Sequence, residues 1–600
     1  MKMKHHIYRS ASRCSAMLMA VACAMGVFAQ NTLQKEITIE KEFVPTERKA
    51  EKKSLLPSVV KQDVPMNKPS YSLWSEPVNS TPQVALLDPY GYKTTKDFST
   101  YRGYMRLLGG SYLNMSLSAG YRIIADEHAD LGIRFQHCSS WLGYNKSPNL
   151  LNDATAQKQK FNDNVLGAHW RKELREGTLT LLGLLQFDSF NYYGTADPQW
   201  AEGRPNQVIS DVLLSGNWIG RPLGSPFSYK VDARFSHVGF SKSLWEEIKP
   251  TKQSTFGMKF NGEYQLTDKI FAGGDVGFDY LCNSDYTNFD FRELVPIESG
   301  LRKSMGMITV SPYALFMHSR LMVKLGVKLD FSFNDGTAVR VAPNVDINVH
   351  LGKYLNAFAK INGGKDLSLL HDVIAVTRYV SPNLQVTNAY TPLNIEGGFK
   401  VGPYKGFDFT LLAGYTKVRD LPMPFVAMPI EPTSSVYLGP SVNDMYASTF
   451  LHGVTLDGWK IGAEMGYNYN HLVEVKGKLM YSPQDCDKGI ALGMDRPKWV
   501  ANFGVGVKPI KALSLNVGLE WRGKRGVYSY LGGASTEHDN WTVINSLGDV
   551  LNLQFNATYQ ITPMIGVTAK ATNLLNRRYD LFYCQGAQRI AVMGGVNIKF

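Results

Sequence analysis

Leu321-Met322-Val323-Lys324-Leu325-Gly326-Val327-Lys328-Leu329-Asp330-Phe331-Ser332-Phe333-Asn334 alternates without a break. In an extended chain Leu321, Val323, Leu325, Val327, Leu329, Phe331 and Phe333 share one face, and Lys324, Lys328, Asp330 and Ser332 lie on the other. A period of two marks a β-strand with one apolar and one wet side. Its length says which kind of sheet. Strands of soluble sandwiches run about 5–6 residues. A strand tilted by ~45° needs about 10 to cross the ~25 Å apolar band of an outer membrane. Trp459 to Asn470 repeats the pattern, and so does Phe227 to Ser236, which sets Lys230, Asp232 and Arg234 against Phe227, Tyr229, Val231, Ala233 and Phe235. Trp459, Tyr467, Tyr469 and Trp521 stand near strand ends, where interfacial aromatic girdles belong.

Outward from these strands, the connections alternate in length, as they do in a membrane barrel. Short turns are read at Asp126–Asp130, Arg175–Gly177, Arg221–Pro226, Thr267–Lys269, His318–Arg320, Gly352–Tyr354, Pro403–Gly406, Leu456–Gly458, Pro509–Ala512 and Thr562–Met564. Longer segments lie near 141–160, 190–206, 239–254, 283–303, 366–390, 419–444, 471–498, 524–548 and 574–588, with short hairpins near 109–112 and 334–338. Leu472–Ser482 is taken as a β-extension within a surface loop. Ten turns and eleven loops join about 22 antiparallel strands and leave both chain ends in the periplasm. The fold class expected is all-β, a transmembrane antiparallel outer-membrane β-barrel over 99–600.

The two ends of the chain agree with that placement. Lys2, Lys4, Arg9 and Arg13 precede an apolar run, Ala16 to Phe28, too short to span a bilayer, with a small-residue cleavage site at Val27-Phe28-Ala29. Residues 1–29 therefore read as a signal peptide; Ala20-Val21-Ala22-Cys23 is only a loose lipobox. Residues 30–98 are dense in Lys and Glu as far as Val64 and carry Pro45, Pro57, Pro65, Pro69, Pro77 and Pro82, with no face long enough to bury. They read as an extended periplasmic segment. At the other end Ile590, Val592, Gly594, Val596, Ile598 and Phe600 share one face, and the last residue is aromatic. Phe600 looks like the signal by which barrel-assembly machinery recognises outer-membrane proteins for insertion.

The last connection carries a family resemblance. Asn573-Leu574-Leu575-Asn576-Arg577-Arg578-Tyr579 resembles the Asn-Leu-Phe-Asn-x-x-Tyr motif that TonB-dependent outer-membrane receptors place before their closing strand. Arg496-Pro497-Lys498-Trp499-Val500-Ala501-Asn502 is similar, more loosely, to that family's entry into a strand near the fourth from the end. The resemblance implies a 22-stranded transport barrel. It also implies that Glu36-Ile37-Thr38-Ile39-Glu40, near the mature N-terminus, acts as a TonB box that pairs by β-addition with TonB or another periplasmic protein. The same stretch also reads as part of a charged tether. The chain departs from the family in one respect: 30–98 is too short for the folded plug these receptors carry. Residues 50–98, infolded surface loops or a partner protein are the candidates to occlude the bore.

Little else points to chemistry. The net charge of +12 falls to +8 when the four basic residues of the leader are removed, and no basic cluster is interleaved with aromatics, so nucleic acid is set aside. Lipid is the partner of the outer wall. Lys324, Lys328, Asp330, Arg340, Lys460, Glu464 and Arg522 are expected to face the lumen, either as a polar conduit or as charges that pair across neighbouring strands. Trp141, Tyr192, Tyr193, Trp200, Tyr437, Tyr528, Tyr530 and Trp541 are loop aromatics able to stack on a ligand or to stiffen the loops. Ser535, Glu537, His538 and Asp539 sit together without any hydrolase or metal-site motif, so no catalytic residue, cofactor or metal is assigned. Pro483–Asp487 reads as a structural loop. Cys138, Cys282, Cys486 and Cys584 remain after export, and Cys486–Cys584 is the pairing to test.

Overall fold

The computed structural model describes residues 101–144, 158–193, 206–220, 225–243, 249–284, 304–380, 382, 388–425, 449–470, 472–486, 496–530, 541–582 and 585–600. Residues 1–29, the 30–98 segment with Glu36–Glu40, Trp200, Tyr437, Ser535–Asp539 and Cys584 lie outside them, and Cys486 is described in its backbone only. Neither Cys138 nor Cys282 is in a disulfide.

From Met115–Ala125 to Ile565–Thr572 each long strand pairs antiparallel with the next along the chain. The first strand, Gly103–Gly110, then pairs on one side with Met115–Ala125 and on the other with the last, Ala591–Lys599. That second pairing closes the sheet and leaves no edge. Gln484–Cys486 pairs with the same neighbour as Val473–Tyr481 and continues its line, so the wall has 22 strands.

The seam is closed by direct contact between the first and last strands. The Phe600 N–H donates to Gly103 O at 3.0 Å, Gly103 N–H donates to Phe600 O at 2.6 Å, and the Phe600 ring stacks on Tyr121 with centroids 6.3 Å apart. A Cβ on Gly103 would strike the Phe600 ring, and one on Gly595 would strike the Leu107 carbonyl. Both positions are glycine because the seam leaves no room for a side chain.

Alternation sorts the two faces. Leu325, Val327, Val339, Val341, Phe399, Leu411, Trp459 and Ile461 are exposed on the outside, and their neighbours along each strand point inward. Aromatics collect in two rows. Tyr415, Trp459, Tyr481, Trp499 and Trp521 form one, with centroids 5.2 Å apart for Tyr415–Trp459 and 4.3 Å for Tyr481–Trp499. Phe227, Tyr229 and Phe260 stack in the other, at the end carrying the short turns. Tyr467, exposed near the Asn470 turn, stands at that same end, and the eight residues from Trp459 to Tyr467 at ~3.3 Å along a strand tilted by ~40° give ~20 Å between the two levels. That is close to the height of an outer-membrane apolar band.

One stretch of the expected wall is corrected. Leu456–Gly458 is not a turn: Thr449–Tyr469 runs straight through it, paired with Phe407–Phe425 on one side and with Gln484–Cys486 on the other. The turn is at Asn470, whose φ of 46° lies in the left-handed region that asparagine tolerates. Leu472–Ser482, read as a loop extension, is the wall strand Val473–Tyr481. The Asp-Gly pair at 457–458 mimics a hairpin signal, while Asn470-His471 gives a weaker one. One strand was divided and another overlooked, so the total of 22 stands. The looser motif opens Trp499–Ile510, which is fifth from the end rather than near the fourth.

Candidate functional site

The inner face is charged, and the charges answer one another. Lys478 meets Glu464 at 2.9 Å, Arg522 meets Glu520 at 2.6 Å, Lys328 meets Asp330 at 3.8 Å, Lys360 meets Asp346 at 4.0 Å, and Lys460 is bonded to Glu396. Lys324 lies over the Tyr313 ring at 3.8 Å, and Arg340 over Tyr390 at 4.3 Å. The partly exposed pairs, Lys478–Glu464 and Arg522–Glu520, are worth only ~0.2–1 kcal/mol each, whereas Asp330 and Glu396 are buried. Together these charges make a wettable, largely neutralised wall rather than one binding centre.

A centre does form where the connection 367–388 leaves the wall. Its root is a buried ion cluster. Lys365, only 6% exposed, donates from its ammonium to Ser332 Oγ at 3.0 Å and meets Asp335 at 2.5 Å, while its N–H donates to Asp330 Oδ2 at 2.8 Å. Thr309 donates to the other Asp330 oxygen at 2.7 Å, and Asn388, at the far end of the connection, donates to Asp335 at 2.9 Å. Both ends of the segment are thereby fixed to one place.

From that root the chain runs along the inside of the barrel as a strap. Leu369 packs on Leu281 and Met305. The helix α1 (Leu370–Val376) follows; its two turns are too short to be stable alone. Its first N–H is taken by Gln253 Oε1 at 2.8 Å. Leu370 and Val373, with Tyr379 and Val380 beyond the helix, enter a cluster made by Phe190, Tyr192, Tyr193, Ile209, Val238 and Phe240 of the wall. Burying each such aliphatic side chain contributes about 1.5–3 kcal/mol. Tyr192 OH donates to Val380 O at 3.0 Å, and Gln159 donates to Tyr379 OH at 2.9 Å.

Two acid–base contacts fasten the tip. Arg378 forks onto Asp163, with Nη2 to Oδ2 at 2.8 Å, and lies 5.4 Å from the Phe161 ring centroid and 6.0 Å from that of Phe190. His371 bonds through Nδ1 to Asp211. That bond raises the imidazole pKa above its ordinary value, against an opposing effect of burial. Asp163, Asp188 and Asp211 thus point inward beneath the strap from three consecutive wall strands, Lys158–Leu174, Gly177–Asn191 and Asn206–Gly220.

The last connection folds back by its own means. Asn573 and Asn576 both adopt positive φ, 49° and 52°. Asn573 Nδ2 donates to Arg577 O and to Gln588 O, each at 2.9 Å, and its Oδ1 accepts from Arg577 N at 3.0 Å; Asn576 Oδ1 accepts from Arg589 Nε at 2.9 Å. Gln588 then ties the connection to Ser140 at 2.8 Å, and buried Arg525 donates to Asp580 O and Leu581 O, each at 2.6 Å. Tyr193 OH, donating to Gly586 O at 3.3 Å, links this connection to the cluster under the strap.

No family model matches the chain, and no curated protein matches it in sequence. Solved structures do. The FrpB iron transporter from Neisseria meningitidis aligns with a TM-score of 0.61 at 11% identity, over 84% of this chain and 82% of that one. The fold is that of an outer-membrane receptor barrel. A ferric enterobactin receptor from Pseudomonas aeruginosa, PfeA, aligns at 0.59 and 12% identity over 83% and 81%. The siderophore receptor PirA from Acinetobacter baumannii gives 0.58 and 10% over 83% and 80%. These neighbours are transporters and receptors rather than enzymes, and their fold is the one the Asn573–Tyr579 motif implied.

Sequence reasoning named the charges of the wall and overlooked the strap. Arg378, His371, Asp163, Asp188 and Asp211 were singled out by no motif, because their contacts join residues more than 150 positions apart. The one available signal was a short apolar helix-like run, Leu367–Val376, inside a connection otherwise expected to be polar. Tyr192 and Tyr193, taken as loop aromatics, are each 1% exposed within the cluster and present no stacking surface, whereas Trp141 is exposed on the outer face. The backbones of Tyr528, Tyr530 and Trp541 belong to a hairpin, Arg525–Tyr530 with Trp541–Leu547. Among the described residues no group of His, Cys, Asp and Glu is disposed to hold a metal ion.

Proposed function

We propose that the protein is an outer-membrane, receptor-type transport barrel that binds or passes a small polar solute, with its long connections outside the cell and both termini in the periplasm. The observation that carries this reading is the strap. A 22-stranded barrel is wide enough to leave a large aqueous hole unless it is filled, and residues 367–380 lie along the inner wall at one mouth, anchored at root and tip. A wettable, charge-paired interior narrowed by its own chain suits selective passage better than free diffusion. The solute would meet the outer connections first and then the strap. The Glu36–Glu40 segment, with Ile37, Thr38 and Ile39 as its β-prone core, would engage TonB or another periplasmic protein by strand addition.

Planar-bilayer conductance tests the reading. The intact chain is expected to give small, rare openings, and deletion of 367–388 larger and steadier ones. A large steady conductance of the intact chain would contradict it. Deleting 36–45 separates energy-coupled uptake from a scaffold role. Uptake predicts loss of growth on one nutrient, whereas a scaffold predicts normal growth and loss of a co-purifying envelope partner. Deleting 50–98 in the same bilayer assay shows whether that segment also fills the bore.

A further inference from the structure

The seat beneath the strap holds more negative charge than the strap answers. Asp163 lies directly across from Asp188 on the neighbouring strand, and Asp211 sits two residues along from Ile209, the partner of Asp188. That diagonal separates two side chains by ~7–8 Å. Asp188 is 4% exposed and Asp211 7%, so both carboxylates are more than nine-tenths buried. Gln186 donates to Asp188 Oδ2 at 2.6 Å, and His371 bonds to Asp211 Oδ2. The remaining oxygens, Asp188 Oδ1 and Asp211 Oδ1, receive no hydrogen bond. Asp372 on α1 adds a further negative charge near His371, and Arg234 on the wall a positive one. Both of these are exposed and offset one another; against the three wall carboxylates the strap sets only Arg378 and a histidine that is charged only when protonated. Buried carboxylate oxygens without donors are costly, and the chemistry that satisfies them is a cationic N–H.

Arg378 shows which cation fits. Its guanidinium forks onto Asp163 with aromatic rings at 5.4 and 6.0 Å, an arrangement that selects a planar delocalised cation over a compact one. It is also accessible, with 28% of the side chain exposed. We propose that this seat is a binding site for a linear dication, one end a guanidinium and the other a primary ammonium, and that Arg378 occupies the guanidinium position in its absence. The ligand's guanidinium replaces Arg378 at Asp163 between Phe161 and Phe190. Its ammonium reaches the unanswered oxygens of Asp188 and Asp211. Displacing Arg378 releases the tip of the strap, so binding and loosening of the strap are one event. The proposal does not rest on the transport reading, because occupancy is measured whether or not solute crosses.

The probe is agmatine, titrated calorimetrically into the purified full chain in detergent micelles at pH 7.5, with sodium chloride at matched ionic strength as control. Arg378→Ala removes a competitor held at high effective concentration, so agmatine should bind it at least about tenfold more tightly than the unsubstituted chain. Adding Asp188→Asn to that variant, an isosteric change, should weaken binding by about tenfold or more. Heat-modifiable mobility on gels reports whether each variant is folded. Should Arg378→Ala fail to fold, Arg378→Lys keeps the charge but loses the fork, and agmatine should then bind more tightly than to the unsubstituted chain. Equal affinity of a folded position-378 variant and the unsubstituted chain overturns the proposal. So does binding that is indifferent to Asp188→Asn, or a heat signal reproduced by sodium chloride.

Discussion

Two long connections fold back against the same barrel, and they are held by opposite means. The last, 573–590, is clasped first by residues within itself, Asn573 closing onto Arg577 and Gln588 and Asn576 onto Arg589, with Ser140, Arg525 and Tyr193 adding contacts from outside it. The strap, 367–388, has a buried root at Lys365 but reaches its anchors Asp211 and Asp163 only across the wall. A clasp local in sequence forms as soon as its own segment folds. A strap latched to distant strands is stable only once those strands are in register, and it can be released without unfolding the wall. A connection that must move is better built in the second way.

Substitutions can break this contrast, and the largest effect is expected at the root. Lys365→Met leaves the largely buried Asp335 without its cation, while Asp330 keeps Lys328 and the backbone N–H of residue 365, and should cost about 3 kcal/mol. It should lower the urea midpoint of the whole barrel and expose the strap to protease. Next comes Asn573→Ala, which removes three hydrogen bonds of a side chain that is 2% exposed and should cost about 2–3 kcal/mol. Protease sites in 573–590 should open while the strap stays protected; loss of protection in both would mean that the Tyr193–Gly586 contact makes them one unit. Arg378→Ala is expected to be milder, about 1–2 kcal/mol, because Asp163 and Arg378 keep some contact with water. Only the tip should become sensitive to protease, and bilayer openings should lengthen.

The smallest effect is that of pH. The folded-state pKa of His371 is raised by its bond to Asp211. The stabilisation is therefore fully present below the unfolded value of about 6.5 and is lost as pH climbs through the folded value. Because the His371 side chain is 46% exposed, the change should stay below about 1 kcal/mol. After correction for the intrinsic base-catalysed rate, protection of α1 amides from hydrogen exchange should fall from pH 6 to pH 9, and His371→Gln should abolish that fall.

The same contrast explains what could be read from the chain. Alternation in Leu321–Asn334, the closing strand ending at Phe600 and the Asn573–Tyr579 motif are all local, and each is visible within about a dozen residues. The strand 449–469 was misread for an equally local reason: Asp457-Gly458 carries the composition of a tight turn, and only pairing with Phe407–Phe425 shows that the strand continues. The strap was illegible because nothing in Leu369 to Val380 names Phe190, Ile209 or Phe240 as its partners. The lumen charges were legible as a pattern, but which of them pair depends on register, which alternation alone does not supply.

The central claim is that 367–380 lies inside the barrel against the wall strand 206–220. Pairwise thiol cross-linking tests it most directly, with His371→Cys and Asp211→Cys placed in a chain carrying Cys138→Ser, Cys282→Ser, Cys486→Ser and Cys584→Ser, and Val212→Cys as the outward-facing control. The account predicts that a short bifunctional thiol reagent joins 371 to 211 in folded protein and fails to join 371 to 212. Absence of a 371–211 cross-link, with both thiols freely labelled by a bulky maleimide, would contradict it.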